Sequence, residues 1–173
     1  MAATPICIPN NCSWDESSGH FQRHHEQPRT GLQLVDESLR KLRSIHGPVC
    51  VVSIAGPCRR GKSYILSRVF DQGDVFPLGH TFEPETMGIW MWVVPEKYRD
   101  DHGREFTVVL LDSEGIDAVG AEGINDHAIF TLSVLLSSVL IYNSVGVPTR
   151  TDLEVLEYPY CLALVQPIPH QIV

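Results

Sequence analysis

No basic stripe runs through this 173-residue chain, in which 13 lysines and arginines stand against 21 aspartates and glutamates for a formal net charge of −8. That balance argues against a nucleic-acid binder, whose phosphate-facing surface has to be positive. No charged start leads into an apolar run, so a secretory leader is not expected. Residue 2 is Ala, which excludes N-myristoylation, and His170-Gln171-Ile172-Val173 is no prenylation box. The five cysteines (Cys7, Cys12, Cys50, Cys58, Cys161) are odd in number and irregularly spaced, with no disulfide framework to expect. They suit free thiols in a reducing compartment, and the expected location is cytoplasmic. Cys7, Cys12, His20 and His24 match no tight zinc knuckle, and the chain between them is polar. Residues 128–147 approach transmembrane length, but Ser133, Ser137, Ser138, Asn143 and Ser144 interrupt them. That stretch divides into a helix followed by a strand, so no transmembrane segment is expected. Internal repeats and low-complexity tracts are missing too. What remains is 43% hydrophobic and 20% charged, the composition of a globular protein, at a length that suits one domain at most.

Residues 1–30 are rich in Pro, Asn, Ser and His and read as a loosely organised lead-in. A helix follows, with Asp36 as the expected N-cap, Glu37 in the first turn, and Leu39, Leu42 and Ile45 on one face. Arg40, Lys41 and Arg43 favour the negative end of its dipole, and Gly47-Pro48 stops it. Val49 to Ala55 is a β-branched run without polar alternation, as in a strand buried on both faces. Residues 62–70 should form a helix, and residues 88–94 and 106–111 two more buried strands joined as an antiparallel hairpin through a turn-like stretch at 95–103. Asp126 is a candidate cap for a helix running to about residue 138, and residues 139–142 form a fourth strand. Strands alternating with helices predict an α/β domain with helices on both sheet faces.

The chemistry lies between these elements. Gly56-Pro57-Cys58-Arg59-Arg60-Gly61-Lys62-Ser63 is a complete G-x-x-x-x-G-K-S, the P-loop pattern, between a buried strand and a helix. Gly56 and Gly61 let the backbone curl so that its N–H groups surround phosphates, and Arg60 lies within that loop. Lys62 neutralises the β/γ oxygens, the Ser63 hydroxyl ligates Mg²⁺, and the helix adds its positive end. Asp112-Ser113-Glu114-Gly115 is a D-x-x-G directly after the 106–111 strand. Asp112 would hold Mg²⁺ through water, and the Gly115 N–H would face the γ-phosphate. Between the motifs, a polar loop with Thr81 and Thr86 sits where such folds keep a switch threonine. From the residues alone this is a P-loop nucleoside triphosphatase, a three-layer α/β/α fold of the Ras-like kind, with the base left open.

Several segments resemble the guanylate-binding proteins, the interferon-inducible branch of the dynamin-related GTPases, with atlastins as more distant relatives. They are Thr86-Met87-Gly88-Ile89-Trp90-Met91-Trp92, Val109-Leu110-Leu111-Asp112-Ser113-Glu114-Gly115, and Leu135-Leu136-Ser137-Ser138 with Tyr142-Asn143-Ser144. Pro5-Ile6-Cys7 and the helix before Pro48 are also similar to the family's opening, and the likeness covers roughly residues 4–158. It implies a Mg²⁺-dependent GTPase, a hydrolase acting on acid anhydrides, that binds GTP and GDP. Pairing with itself or related GTPases through the nucleotide face, and a part in innate defence, are implied with it. By the same resemblance Arg59 falls on an arginine finger supplied in cis, Thr86 on the switch threonine that ligates Mg²⁺, and Glu114 on a glutamate that organises the attacking water indirectly.

Pro84 stands where the family has a serine near that water, Cys58 where it has an aromatic, and Arg60 where it has a small polar residue. These differences leave phosphate binding in place and bear on the rate of hydrolysis. The family continues with a further strand ending in Arg-Asp, whose Asp reads guanine, and this chain carries neither that element nor an N-K-x-D. The expected organisation is a lead-in at 1–30, a C-terminally truncated GTPase domain at 31–158, and a divergent tail at 159–173. The alternative function is a non-catalytic module that pairs with full-length relatives.

Overall fold

The computed structural model describes residues 2–70, 73, 75, 76, 86–115, 123–144, 146, 147, 150 and 154, with the side chains of 123–126 excepted. In chain order the elements are β1 (Thr4–Pro9), β2 (Cys12–Asp15), β3 (His20–Arg23), β4 (Leu32–Leu34), α1 (Asp36–Arg43), β5 (Val49–Ala55), α2 (Lys62–Val69), β6 (Ile89–Arg99), β7 (Glu105–Ser113), α3 (Gly123–Leu136) and β8 (Val139–Tyr142). A six-stranded mixed sheet runs β4-β1-β6-β7-β5-β8, and β2 and β3 form a separate hairpin. Strands β7, β5 and β8 are parallel, and β6 joins β7 antiparallel.

Both sheet faces are apolar because successive side chains leave a strand on opposite sides. On one face Val52, Ile54, Val108, Leu110, Trp90 and Val94 pack with Leu66 of α2. On the other Val109, Leu111, Ile89 and Met91 pack with Ile129 of α3 and with Leu39 and Leu42 of α1. Ile54, Leu66 and Leu110 are fully buried, and each such side chain contributes about 1.5–3 kcal/mol. The three-layer α/β/α expectation therefore holds: α2 lies under the sheet, and α1 and α3 lie over it.

Residues 4–23 are not the loose lead-in that their composition suggests. Strand β1 is buried along its whole length, between β4 and β6. Its pairing with β6 shifts between Pro5 and Cys7, a bulge that accommodates a residue with no N–H to donate. The β2–β3 hairpin closes over Trp90, against which Trp14 and Phe21 stand edge-on at ring centroid separations of 5.5 and 5.6 Å. Trp14 Nε1 donates to Glu37 Oε2 at 2.7 Å, tying the hairpin to α1.

Other boundaries move. Val35, not Asp36, occupies the N-cap position of α1, with no side-chain capping bond. Strand β6 runs through Pro95 to Arg99, where a turn was expected, with its register against β7 shifting between Val93 and Lys97. The turn comes after it, where Asp100 Oδ1 accepts the N–H groups of His102 and Arg104. Asp126 lies inside α3, which starts at Gly123. Among the described residues β8 pairs with β5 alone and ends the sheet. The expected tail at 159–173 lies outside the described residues.

Candidate functional site

The site forms beyond the carboxyl ends of β5 and β7, where ligands gather in parallel sheets. After Ala55 the chain turns through Gly56, whose φ is 139°. A Cβ at Gly56 would stand 2.4 Å from the Asn143 carbonyl oxygen, so no other residue fits. Asn143 closes the loop from β8, its N–H donating to Ala55 O at 2.8 Å and its Nδ2 to Arg60 O at 2.8 Å. Gly61 takes φ 74° at the N-cap of α2, which no side chain caps. First-turn N–H groups in such a position suit an anion.

Lys62 is 6% exposed, and its Nζ donates to Pro57 O at 3.0 Å. Burial pushes its pKa down, against the opposing influence of Asp112, Cys58 and Glu114. Ser63, one residue on, donates from Oγ to Asp112 Oδ2 at 2.7 Å. Thr86 Oγ1 donates to the same oxygen at 3.1 Å. Asp112 itself is fully buried, and its Oδ1 accepts no hydrogen bond. Burial pushes its carboxyl up to about 6, opposed by the Ser63 hydrogen bond, the Lys62 charge and the Thr86 hydrogen bond. Two hydroxyls and one carboxylate oxygen with a spare acceptor are hard oxygen donors, the kind Mg²⁺ takes.

The D-x-x-G packs directly on the P-loop. A Cβ at Gly115 would lie 2.3 Å from the Cys58 Cα, a backbone approach that only glycine allows. Arg59 and Arg60 are exposed, and Arg59 holds φ 59°, a left-handed conformation seldom taken by a non-glycine residue. Such strain concentrates at functional loops. Lys62, Ser63, Thr86 and Asp112 are thus gathered in one place. Glu114 is turned elsewhere: its Oε1 and Oε2 accept Arg29 Nη1 and Nη2, each at 2.8 Å, and Oε2 also accepts the Gly88 N–H at 3.0 Å. Thr81 and Pro84 lie outside the described residues.

Sequence reasoning missed two residues here. In the sequence Asn143 is a polar interruption of an apolar run and part of a resembling segment, and its bracing of the P-loop emerges when β8 is laid beside β5. Arg29 sits in a stretch without periodicity, 85 residues from its partner, and nothing local to it signals the pairing.

The family model described as guanylate-binding protein, N-terminal domain, matches residues 29–165. Guanylate-binding protein 6 of Mus musculus is 41% identical over 155 residues, covering 89% of this chain and 22% of that protein. Guanylate-binding protein 7 of Homo sapiens is 39% identical over 155 residues, covering 89% of this chain and 21% of its own length. Guanylate-binding protein 3 of Homo sapiens is 44% identical over 123 residues, or 70% of this chain and 20% of that one. The chain spans about a fifth of the length of these relatives. With the family model covering most of its residues, the chain belongs to the guanylate-binding protein family.

Proposed function

We propose that this domain binds GTP with Mg²⁺ and hydrolyses it. Water attacks the γ-phosphorus in line, the bond to the bridging β–γ oxygen breaks, and GDP and inorganic phosphate leave. The observation that carries this reading is the convergence of Ser63 and Thr86 on Asp112, whose second oxygen is buried without a partner. A buried acceptor left empty is costly unless something fills its place.

Ser63 and Thr86 would offer hydroxyl oxygens to the metal, and Asp112 would hold it through water. Bound there, Mg²⁺ neutralises charge on the β- and γ-phosphate oxygens. Lys62 binds those oxygens as well: its ammonium now rests on a neutral carbonyl, and an anionic oxygen makes the stronger, charge-assisted bond. The N–H groups from Cys58 to Ser63, with Arg60 in their midst, cradle the phosphates, and the Gly115 N–H faces the γ-phosphate. Arg59 stabilises the charge that develops in the transition state, an effect worth about 10³–10⁵ in rate for an arginine finger. Glu114 organises the water indirectly.

The preference for guanine rests on the relatives, which are named for binding guanylate. The unit responsible is residues 31–158, acting in the cytoplasm and pairing in a nucleotide-dependent way with itself or with related GTPases. A second reading, a non-catalytic module that pairs with longer relatives, draws on β8, which among the described residues ends the sheet, with Val139 49% exposed and Leu135 of the preceding helix 53% exposed. An apolar sheet edge is a template for another chain.

The test is Mg²⁺-dependent binding of fluorescent GTP and ATP analogues to the wild type and Lys62→Ala, with phosphate release measured alongside. GTP-selective, Lys62-dependent binding with turnover supports the GTPase. Binding to a full-length relative without turnover selects the module.

A further inference from the structure

Arg29 is the one buried residue between positions 24 and 31, with exposed Gln27, Pro28 and Thr30 around it. It is 7% exposed and its partner Glu114 3%. The guanidinium grips the carboxylate as a fork, one N–H to each oxygen at 2.8 Å. Its backbone belongs to no helix or strand and is held by two asparagines at the end of β1. Asn10 Oδ1 accepts the N–H groups of Thr30 and Gly31 at 2.9 and 3.0 Å, and Asn10 Nδ2 donates to Pro28 O at 3.3 Å. Asn11 Nδ2 donates to Gln27 O at 3.2 Å. Residues 27–31 therefore form a strap held against the two asparagines that follow β1, and its buried side chain reaches the D-x-x-G.

A buried ion pair is poor evidence of net stabilisation, because desolvating both charges offsets much of their attraction. It is better suited to fixing geometry. Glu114 also takes the Gly88 N–H on Oε2, and its own N–H donates to Gly88 O at 2.8 Å. Gly88 lies two residues after Thr86, and Glu114 two residues after Asp112. The fork thus pins together the two segments whose side chains meet at Asp112 Oδ2.

We propose that Arg29 is a positioning residue for the hydrolytic site, acting through Glu114 to lock the segment at 86–88 against that at 112–115. The proposal rests on the GTPase reading above for its kinetic consequence, and on the clamp alone for its structural one. Lysine at position 29 keeps the charge and loses the two-point grip. The test uses the full chain as wild type, Arg29→Lys, Glu114→Gln and the double variant, with kcat, KM for GTP, urea unfolding, and hydrogen exchange at the Gly88 and Glu114 amides.

Arg29→Lys is expected to lower kcat roughly tenfold, with KM held within about twofold, the signature of misplaced catalytic groups rather than lost binding. In the Glu114→Gln background the same change should lower kcat no further, because the two residues act as a unit. Exchange at both amides should rise about tenfold or more at an unchanged unfolding midpoint. An unchanged kcat, an equal loss in the Glu114→Gln background, or unchanged exchange overturns the proposal. Should the wild type show no turnover, the GTPase reading falls by itself and the exchange comparison still decides whether the clamp exists. Should Arg29→Lys fail to fold, Asn10→Ala releases the strap while leaving both charged partners intact. It must then raise exchange at Gly88 and Glu114, or the proposal fails.

Discussion

Replacing Gly115 by Ala brings two backbones into direct collision. The new Cβ would stand 2.3 Å from Cys58 Cα, 2.7 Å from Cys58 N and 2.7 Å from Cys58 Cβ. Non-bonded carbons rest about 3.5–4.0 Å apart, so the D-x-x-G and the P-loop must separate by more than about 1 Å. No rotamer change relieves the contact, since two of the three atoms are main chain. Overpacking of this kind costs about 1–3 kcal/mol, and a shift of about 1 Å in a catalytic group costs on the order of a hundredfold in rate. Gly103→Ala is the matched control, because Gly103 has φ 77° with open space around it and bears left-handed strain alone. That strain costs about 1–2 kcal/mol. Urea unfolding followed by tryptophan fluorescence gives the stability of each variant, and a fluorescent GTP analogue gives its affinity. The expected result is GTP binding weakened at least about tenfold in Gly115→Ala and unchanged in Gly103→Ala. A Gly115→Ala protein that binds GTP like the wild type would refute the claim that the two motifs are held in register by this contact.

Asp112→Asn should stabilise the metal-free protein at neutral pH while abolishing Mg²⁺-dependent nucleotide binding. The folded carboxyl titrates at about 6 against an ordinary 3.8, so keeping it ionised at pH 7 costs up to about 3 kcal/mol. Because the folded pKa is raised, the folded state retains a proton between pH 4 and 6 that the unfolded state has lost. Wild-type stability in EDTA should therefore fall across that window, with a shallower fall in Asp112→Asn; identical pH slopes would show that the carboxyl is not strained. Trp14→Ala removes a half-buried ring from Trp90 and the bond to Glu37, and should cost about 2–4 kcal/mol in urea unfolding with GTP affinity retained. Asn143→Ala leaves the Arg60 carbonyl without its donor, and fluorescent GTP titration should show an affinity loss of about tenfold, equivalent to one hydrogen bond of about 1.4 kcal/mol.

How far the sequence discloses this molecule depends on the range over which each feature is encoded. Strands β5 and β7 announce themselves because both their faces are covered, so their side chains are apolar without alternation. The P-loop is eight contiguous residues, and each of its chemical requirements falls inside that window. Strand β1 gives no such signal: Pro5 and Pro9 lower its strand propensity, and its pairing with β4 and β6 makes it a strand. The β2–β3 hairpin is polar on one side and gains its order from Trp90, far along the chain. Arg29 and Glu114 are each ordinary in their own neighbourhoods. Their pairing exists because β1 carries the strap to the end of β7, a relation that no local pattern encodes.

The same distinction bears on how the site is held. Although the P-loop is local in sequence, its shape is not held locally. Gly56 is pressed against the Asn143 carbonyl, and Asn143 is fixed by its N–H bond to Ala55 and its side-chain bond to Arg60 O. Asn143 directly follows β8, a four-residue strand that among the described residues is paired on one side, through Val52–Val139 to Ala55–Tyr142. Its hold on the sheet is supplemented by Ser138, whose N–H donates to Val51 O and whose Oγ accepts the Val51 N–H. Fraying of β8 would therefore withdraw the brace from the loop proposed above to receive phosphate. By linkage, a ligand that binds only the braced loop stabilises β8 in turn, by RT ln(1 + [L]/Kd). Nucleotide affinity and the integrity of the sheet edge are in this way two readings of one equilibrium.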